Sequence, residues 1–269
     1  MKIRKLISQT MNNRETFCVI LTIIVFACMT GFCRAEKIVG PLLTTNWGQR
    51  QEYAAYAPDH QRVGCWTTAF GQILHHHLLF PCAGKVRYKC NKKGYRIKEV
   101  IDGNMFNRKE KLESMDDIAR YMYHIALIIQ KDFGTGSYKL KHKKRAKMVE
   151  KYFECKTEYF KRLKMKVLLP LLQDEIDKGR PVLIHLRDRK KKSFHAAVVD
   201  GYKTTQGSIH YHINMGHMGK DNGWFSLDSP IGKYNDTTYH RLITVIPDQT
   251  EKIIPTVKPY ISNKQPLKD

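Results

Sequence analysis

The spacing of the apolar residues changes at Pro181, and that change limits the fold more than any other feature of the chain. Before it, apolar side chains recur three and four apart. Ala69, Phe70, Ile73 and Leu74 do so within 65–80, and Ala119, Met122, Tyr123, Ala126 and Ile129 do so between Met115 and about 133. A third helix is expected to lead from the basic run 139–147 towards Cys155. A fourth covers 168–178, closed by Gly179 with Pro181 beyond it. Residues 82–112 are mixed and basic, and they read as weak strands and loop. After Pro181 the chain becomes short β-branched or aromatic runs at 182–186, 195–202, 208–214, 223–227 and 242–246, separated by Gly, Asn and Asp. Helices first and antiparallel strands second is the order of an α+β fold.

Residues 17–32 are apolar enough to enter a bilayer. They follow Lys2, Arg4, Lys5 and Arg14 and precede Cys33-Arg34-Ala35. A basic start, an apolar centre and a small residue at the end describe a signal peptide, here expected to be cut after Ala35. Left uncut, it would be a membrane anchor. The expected organisation is therefore a signal at 1–35, one folded domain at 36–247 and a loosely ordered basic tail at 248–269, with the product secreted or periplasmic. Three of the seven cysteines (Cys18, Cys28, Cys33) fall in the signal. Cys65, Cys82, Cys90 and Cys155 remain, and the close spacing of Cys82 and Cys90 makes them the favoured pair for a disulfide outside the cytosol.

Cys65 opens a predicted helix, and His195 begins a strand far along the chain. A thiol at a helix N-terminus is expected to have a lowered pKa, because free N–H groups and the helix dipole favour the thiolate. An imidazole that takes the thiol proton and later hands it to a leaving amine completes a nucleophilic pair. His195 is the candidate partner, Asn214 at the end of the next strand is the candidate for orienting it, and the Gln49 amide is a candidate oxyanion donor beside the Cys65 N–H.

Trp47-Gly48-Gln49, with Val63-Gly64-Cys65-Trp66-Thr67-Thr68-Ala69 after it, resembles the opening of the streptopain-like cysteine peptidases, W-G-Q followed by G-C-x-x-T-A. Ser193 to Tyr202 (SFHAAVVDGY) is similar to that family's G-H-A-F-V-I-D-G-Y. Residues 211–216 and 221–225 resemble its Y-H-V-N-W-G-W-G-G and D-G-F-F, with Met215 and His217 where the pattern has Trp. Residues 118–133 resemble its helix ending in a D-Y-G turn, and 171–182 its helix before the buried strand. The resemblance implies a papain-like fold: a helical N-terminal part and an antiparallel β C-terminal part. It implies a cysteine endopeptidase that hydrolyses peptide bonds through a thioester on Cys65, with His195 as general base and acid, and Asn214 and Gln49 beside them. Gly136, Ser137 and Phe194 would line the substrate cleft, and a hydrophobic side chain two residues before the cut would be preferred. No cofactor is expected. About a dozen residues separate Ala35 from Trp47, too few for the family's inhibitory propeptide, so three readings stay open: export in active form, restraint by a separate inhibitor protein, or loss of protease activity.

Two other function classes stay open on sequence. One is a catalytically weak or inactive papain-like module that binds peptides or an acidic partner; the other is a Cys-dependent amidase or transamidase. His75-His76-His77 do not make a metal site, because neighbours on a helix point about 100° apart. They are expected on a partly exposed helix face, and no metal is expected elsewhere. The formal net charge is +22, and removing 1–35 takes five basic residues and Glu15 and leaves +18. Such a charge favours polyanions, yet no nucleic-acid-binding motif accompanies it, so nucleic acid is not an expected partner. The runs 139–147 and 187–192 are expected to be solvated, the second forming a cationic rim beside His195 where an acidic partner would sit.

Overall fold

The computed structural model describes residues 36–205, 207–238 and 240–248. The expected signal at 1–35, and the tail beyond residue 248, lie outside the described residues. Among the described residues, no helix is long and apolar enough to cross a membrane.

Four α-helices precede most of the strands, as the change at Pro181 predicts: α1 (Cys65–His76), α2 (Met115–Ile128), α3 (His142–Tyr152) and α4 (Met165–Asp177). The strands are β1 (Lys37–Val39), β2 (Gly84–Lys89), β3 (Arg96–Ile101), β4 (Cys155–Leu163), β5 (Val182–Asp188), β6 (Ser193–Thr205), β7 (Ser208–Asn214), β8 (Gly223–Phe225) and β9 (His240–Pro247). One antiparallel sheet runs β4-β9-β5-β6-β7-β8, with β1 paired to the far end of β6, and β2 and β3 form a separate hairpin. The architecture is α+β and papain-like.

The period of two sorts each central strand between two cores. Leu183, Ala196 and Val198 face α1 and α2, where they join Phe70, Ile73, Leu74, Met122 and Ile125. Val182, Ile184, Ala197 and Val199 face α4, against Leu168, Leu172 and Ile176. The sheet is thus covered on both sides at its centre, which fixes α1 against β6 and brings Cys65 towards the strand that carries His195.

Several expectations need correction. α1 stops at His76 rather than near Phe80, because Leu78 adopts a left-handed conformation (φ 52°). Its N–H and that of Leu79 then bond back to the His75 and Leu74 carbonyls, and Leu79 and Phe80 turn into the core. The three histidines are less exposed than expected: His75 is buried and accepts the Leu112 N–H at 2.9 Å, while His76 reaches the Gly179 carbonyl at 3.0 Å. Strand β4 escapes the sequence pattern because it is an edge strand. One of its faces is solvated, and polar residues occupy most of its positions. Cys82 and Cys90 are both free thiols. They flank the extended strand β2, whose six residues, at about 3.3 Å each, hold the sulfurs far beyond bonding distance.

Candidate active site

Cys65 is the first residue of α1, and the turn before it is set by Gly64 at φ 90°. A Cβ on Gly64 would stand 2.5 Å from the Tyr138 hydroxyl and 3.0 Å from Lys131, so both the backbone angle and the space require glycine. Gly64→Ala is expected to cost about 2–3 kcal/mol through the left-handed backbone and the clash. Thermal unfolding checks this, and an unchanged Tm would contradict it.

The thiol of Cys65 receives the backbone N–H groups of Trp66 and of Ala196, the residue after His195. This contact seats the nucleophile at the start of the His195 strand. Burial pushes the Cys65 thiol up, and the two N–H groups with the charges of Arg145 and Arg62 oppose it. The expectation of a lowered thiol pKa is therefore corrected: desolvation outweighs the helix terminus. His195 is buried, and burial moves its imidazole below the ordinary value, against the opposing bond to Met215. Both shifts favour the uncharged thiol and uncharged imidazole at rest.

His195 Nε2 lies 2.8 Å from the Met215 carbonyl oxygen. A carbonyl only accepts, so Nε2 carries the proton and Nδ1 is left with its lone pair. Tyr234 stacks on the imidazole (centroids 5.6 Å, 13° between planes) and His217 covers it at 4.9 Å. His217 and buried Met215 stand where the resembling pattern has tryptophans, and Tyr234 adds its cover from further along the chain. Asn214 makes no hydrogen bond to the ring, so it does not orient the imidazole directly as expected. Its Nδ2 donates to the Thr45 carbonyl (2.9 Å) and to Gln72 Oε1 (3.3 Å), and its Oδ1 accepts from Gln72 Nε2 (3.2 Å) and the Gly216 N–H (3.0 Å). Asn214 shapes the turn whose next carbonyl holds His195. Thr68 and Gln72 follow Cys65 by three and seven positions, on the same stripe of α1; the sequence reading missed them, and the polar stripe on an otherwise apolar helix is the signal that could have found them.

Gln49 is half-buried at the same end of α1. Its Nε2 donates to the Gly216 carbonyl at 3.4 Å, its own carbonyl accepts the Val63 N–H at 3.0 Å, and the preceding Gly48 carbonyl accepts from Thr68 at 3.0 Å. The loop bearing Gly136 and Ser137 is held from below by Lys131, which is fully buried. Its ammonium donates to the carbonyls of Asp132 (2.9 Å), Thr135 (2.7 Å) and Ser137 (3.1 Å). Phe194 is half exposed and stacks on buried His185 (5.0 Å, 18°), which pairs in register with Ala196.

The two basic runs differ from the solvated faces expected. Arg145, within the first, is buried, with its guanidinium 4.0 Å over the Trp66 ring and 4.7 Å over Tyr138. In the second, Arg187 and Arg189 pair with Asp236 at 3.5 and 2.7 Å, so part of that rim is already neutralised.

A thiol at a helix N-terminus, seated on the strand of an imidazole whose far nitrogen is locked on a carbonyl, within an α+β fold covered on both faces, defines a papain-like cysteine peptidase. The comparisons with known proteins narrow the class. The Peptidase C10 family model matches residues 47–225, and the chain belongs to that family. The fold is similar to that of active wild-type interpain A, a cysteine protease of Prevotella intermedia, at 20% identity and a TM-score of 0.63, covering 77% of this chain and 94% of that one. It is also similar to a prointerpain A fragment from the same organism, at 22% identity and a TM-score of 0.60, covering 77% of this chain and 71% of that one. Among curated proteins, none matches.

Proposed function

We propose that this cysteine-type peptidase is an exported endopeptidase in which Cys65 is the nucleophile and His195 the general base and acid. The observation that carries the proposal is the His195 ring: Nε2 is committed to Met215, so Nδ1 is the nitrogen free to serve the thiol. Nδ1 takes the Cys65 proton as sulfur bonds to the substrate carbonyl carbon, and the carbonyl electron pair moves onto oxygen. The Cys65 N–H and the Gln49 amide supply hydrogen bonds to that oxygen. Collapse of the adduct breaks the C–N bond, His195 returns the proton to the leaving amine, and a thioester remains. Water, deprotonated by His195, then attacks the thioester, releasing the acid and restoring the thiol.

Gly136, Ser137 and Phe194 line the substrate path in this proposal. Asn214 is a positioning residue, acting through the Met215 carbonyl. Export rests on the apolar run 17–32 behind its basic start. The exposed Lys190 and Lys192 give an acidic partner a place at the rim beside His195.

The test is labelling of the full chain with an epoxide-type papain inhibitor, read by peptide mapping. Selective modification of Cys65 that disappears in His195→Ala is the expected result. Labelling of Cys65 no faster than Cys155, which is buried and whose thiol burial pushes up to about 12, would favour the inactive binding module instead.

A further inference from the structure

A cleft of about 360 Å³ opens at the segment that leads into Cys65, lined among others by Arg50, His60, Arg62, Lys92, Gly134 and Gly136. Its position is set by the chain: Arg50 follows Gln49, and Arg62 lies three residues before Cys65. The Arg62 guanidinium rests against Gly136, where an added Cβ would stand 2.9 Å from Nη2, and its charge already acts on the Cys65 thiol.

Elsewhere the chain pairs many of its cations: Arg120 with Asp116, Arg180 with Glu175, and Arg187 and Arg189 with Asp236. Among the described residues, Arg50, Arg62 and Lys92 have no ion-pair partner. The nearby carboxylates are otherwise engaged. Asp59 accepts from the Tyr95 hydroxyl, and buried Asp132 accepts the Asn91 N–H at 2.7 Å. Like charges gathered around a concavity repel one another and raise the local potential, and an anionic ligand relieves both.

We infer that this cleft is a subsite for a carboxylate side chain of the substrate, Asp or Glu, at the acylated residue. The inference rests on the peptidase reading above and names the substrate class: peptides with an acidic residue at the cut. It leaves the hydrophobic preference two residues before the cut intact, because Phe194 and His185 stand at a different wall.

Binding to the Cys65→Ala full chain separates this subsite from the chemistry. Two fluorescent peptides of one sequence, differing only in Glu or Gln at the position next to the cut, are compared by fluorescence anisotropy. The Glu peptide is expected to bind about tenfold more tightly, a difference that shrinks in high salt and vanishes when Arg50→Gln and Arg62→Gln are added. Equal binding, no binding of either peptide, or an advantage that survives both arginine changes overturns the inference. Hydrolysis of the Gln peptide by the unaltered chain tests the peptidase reading separately. If neither peptide is cut while the arginine-dependent preference persists, the catalytic roles fail and the subsite stands.

Discussion

Replacing Cys65 by Ala is expected to remove peptide hydrolysis altogether, and His195→Ala to lower kcat/KM by about 10⁴-fold, with both variants folded. The size follows from the shared role of the pair. Without sulfur there is no thioester, and without Nδ1 the thiol has no acceptor for its proton. Burial makes the imidazole more important still. It holds the Cys65 thiol above its ordinary range and the His195 imidazole below its own, so thiolate does not stand ready at neutral pH. The proton must move to His195 as the substrate is attacked. Alkylation of the free enzyme by iodoacetamide reads this directly. A raised thiol pKa places the rising limb above the ordinary thiol range, and a limb in the acid range would instead show a standing thiolate–imidazolium pair. A single-site loss of less than tenfold in His195→Ala would remove His195 from the mechanism.

How far this site was legible in the sequence depends on what kind of signal each part leaves. The places of Cys65 and His195 in the fold were readable because each sits at a marked boundary: a glycine turn into a helix, and the start of an apolar strand. The two cores were readable from periods of four and two, which is why α1, α2 and the central strands stand close to where the spacing places them. Strand β4 was not, since an edge strand with a solvated face has no apolar period to show. Asn214 looked like an orienting group because it ends the strand beside His195. Yet the ring is held by a backbone carbonyl, and a carbonyl leaves no trace in residue types. Tyr234 covers the imidazole from a loop that no pattern connects to it. Lys131 and Arg145 were lost for a different reason. Charged side chains are usually solvated, and only the fold shows that one lysine ties down three carbonyls and one arginine lies over Trp66. His212 gains a structural account: it pairs with buried Asp200 at 2.6 Å, and Asp200 in turn accepts the Leu43 N–H at 3.2 Å, which fastens the segment leading to Trp47.

Lys131→Met is expected to destabilise the protein by about 3 kcal/mol and to loosen the loop that carries Gly136. Two effects oppose each other at this buried ammonium. Desolvation lowers its pKa from 10.5 to about 8, a penalty of about 3 kcal/mol at neutral pH. The three hydrogen bonds that Nζ makes are lost in methionine, at about 1 kcal/mol net each, while the lowered pKa means that even with them the fold holds the ammonium less well than water does. Methionine keeps the apolar stem but leaves the Thr135 carbonyl without its donor. The sign of the pH dependence gives a second, independent check. The folded protein gives up the Lys131 proton near pH 8, whereas the unfolded chain keeps it to about 10.5. Between these values the unfolded state binds more protons, so stability contributed by this group rises with pH. Below pH 8 the difference between the unaltered chain and Lys131→Met is therefore constant, and from pH 8 to 10.5 it widens. Urea unfolding of the two proteins at pH 7, 9 and 10 measures it. A difference that narrows as the pH rises would mean that the fold holds the ammonium more tightly than water does, and that the carbonyls above it govern its charge as well as its place.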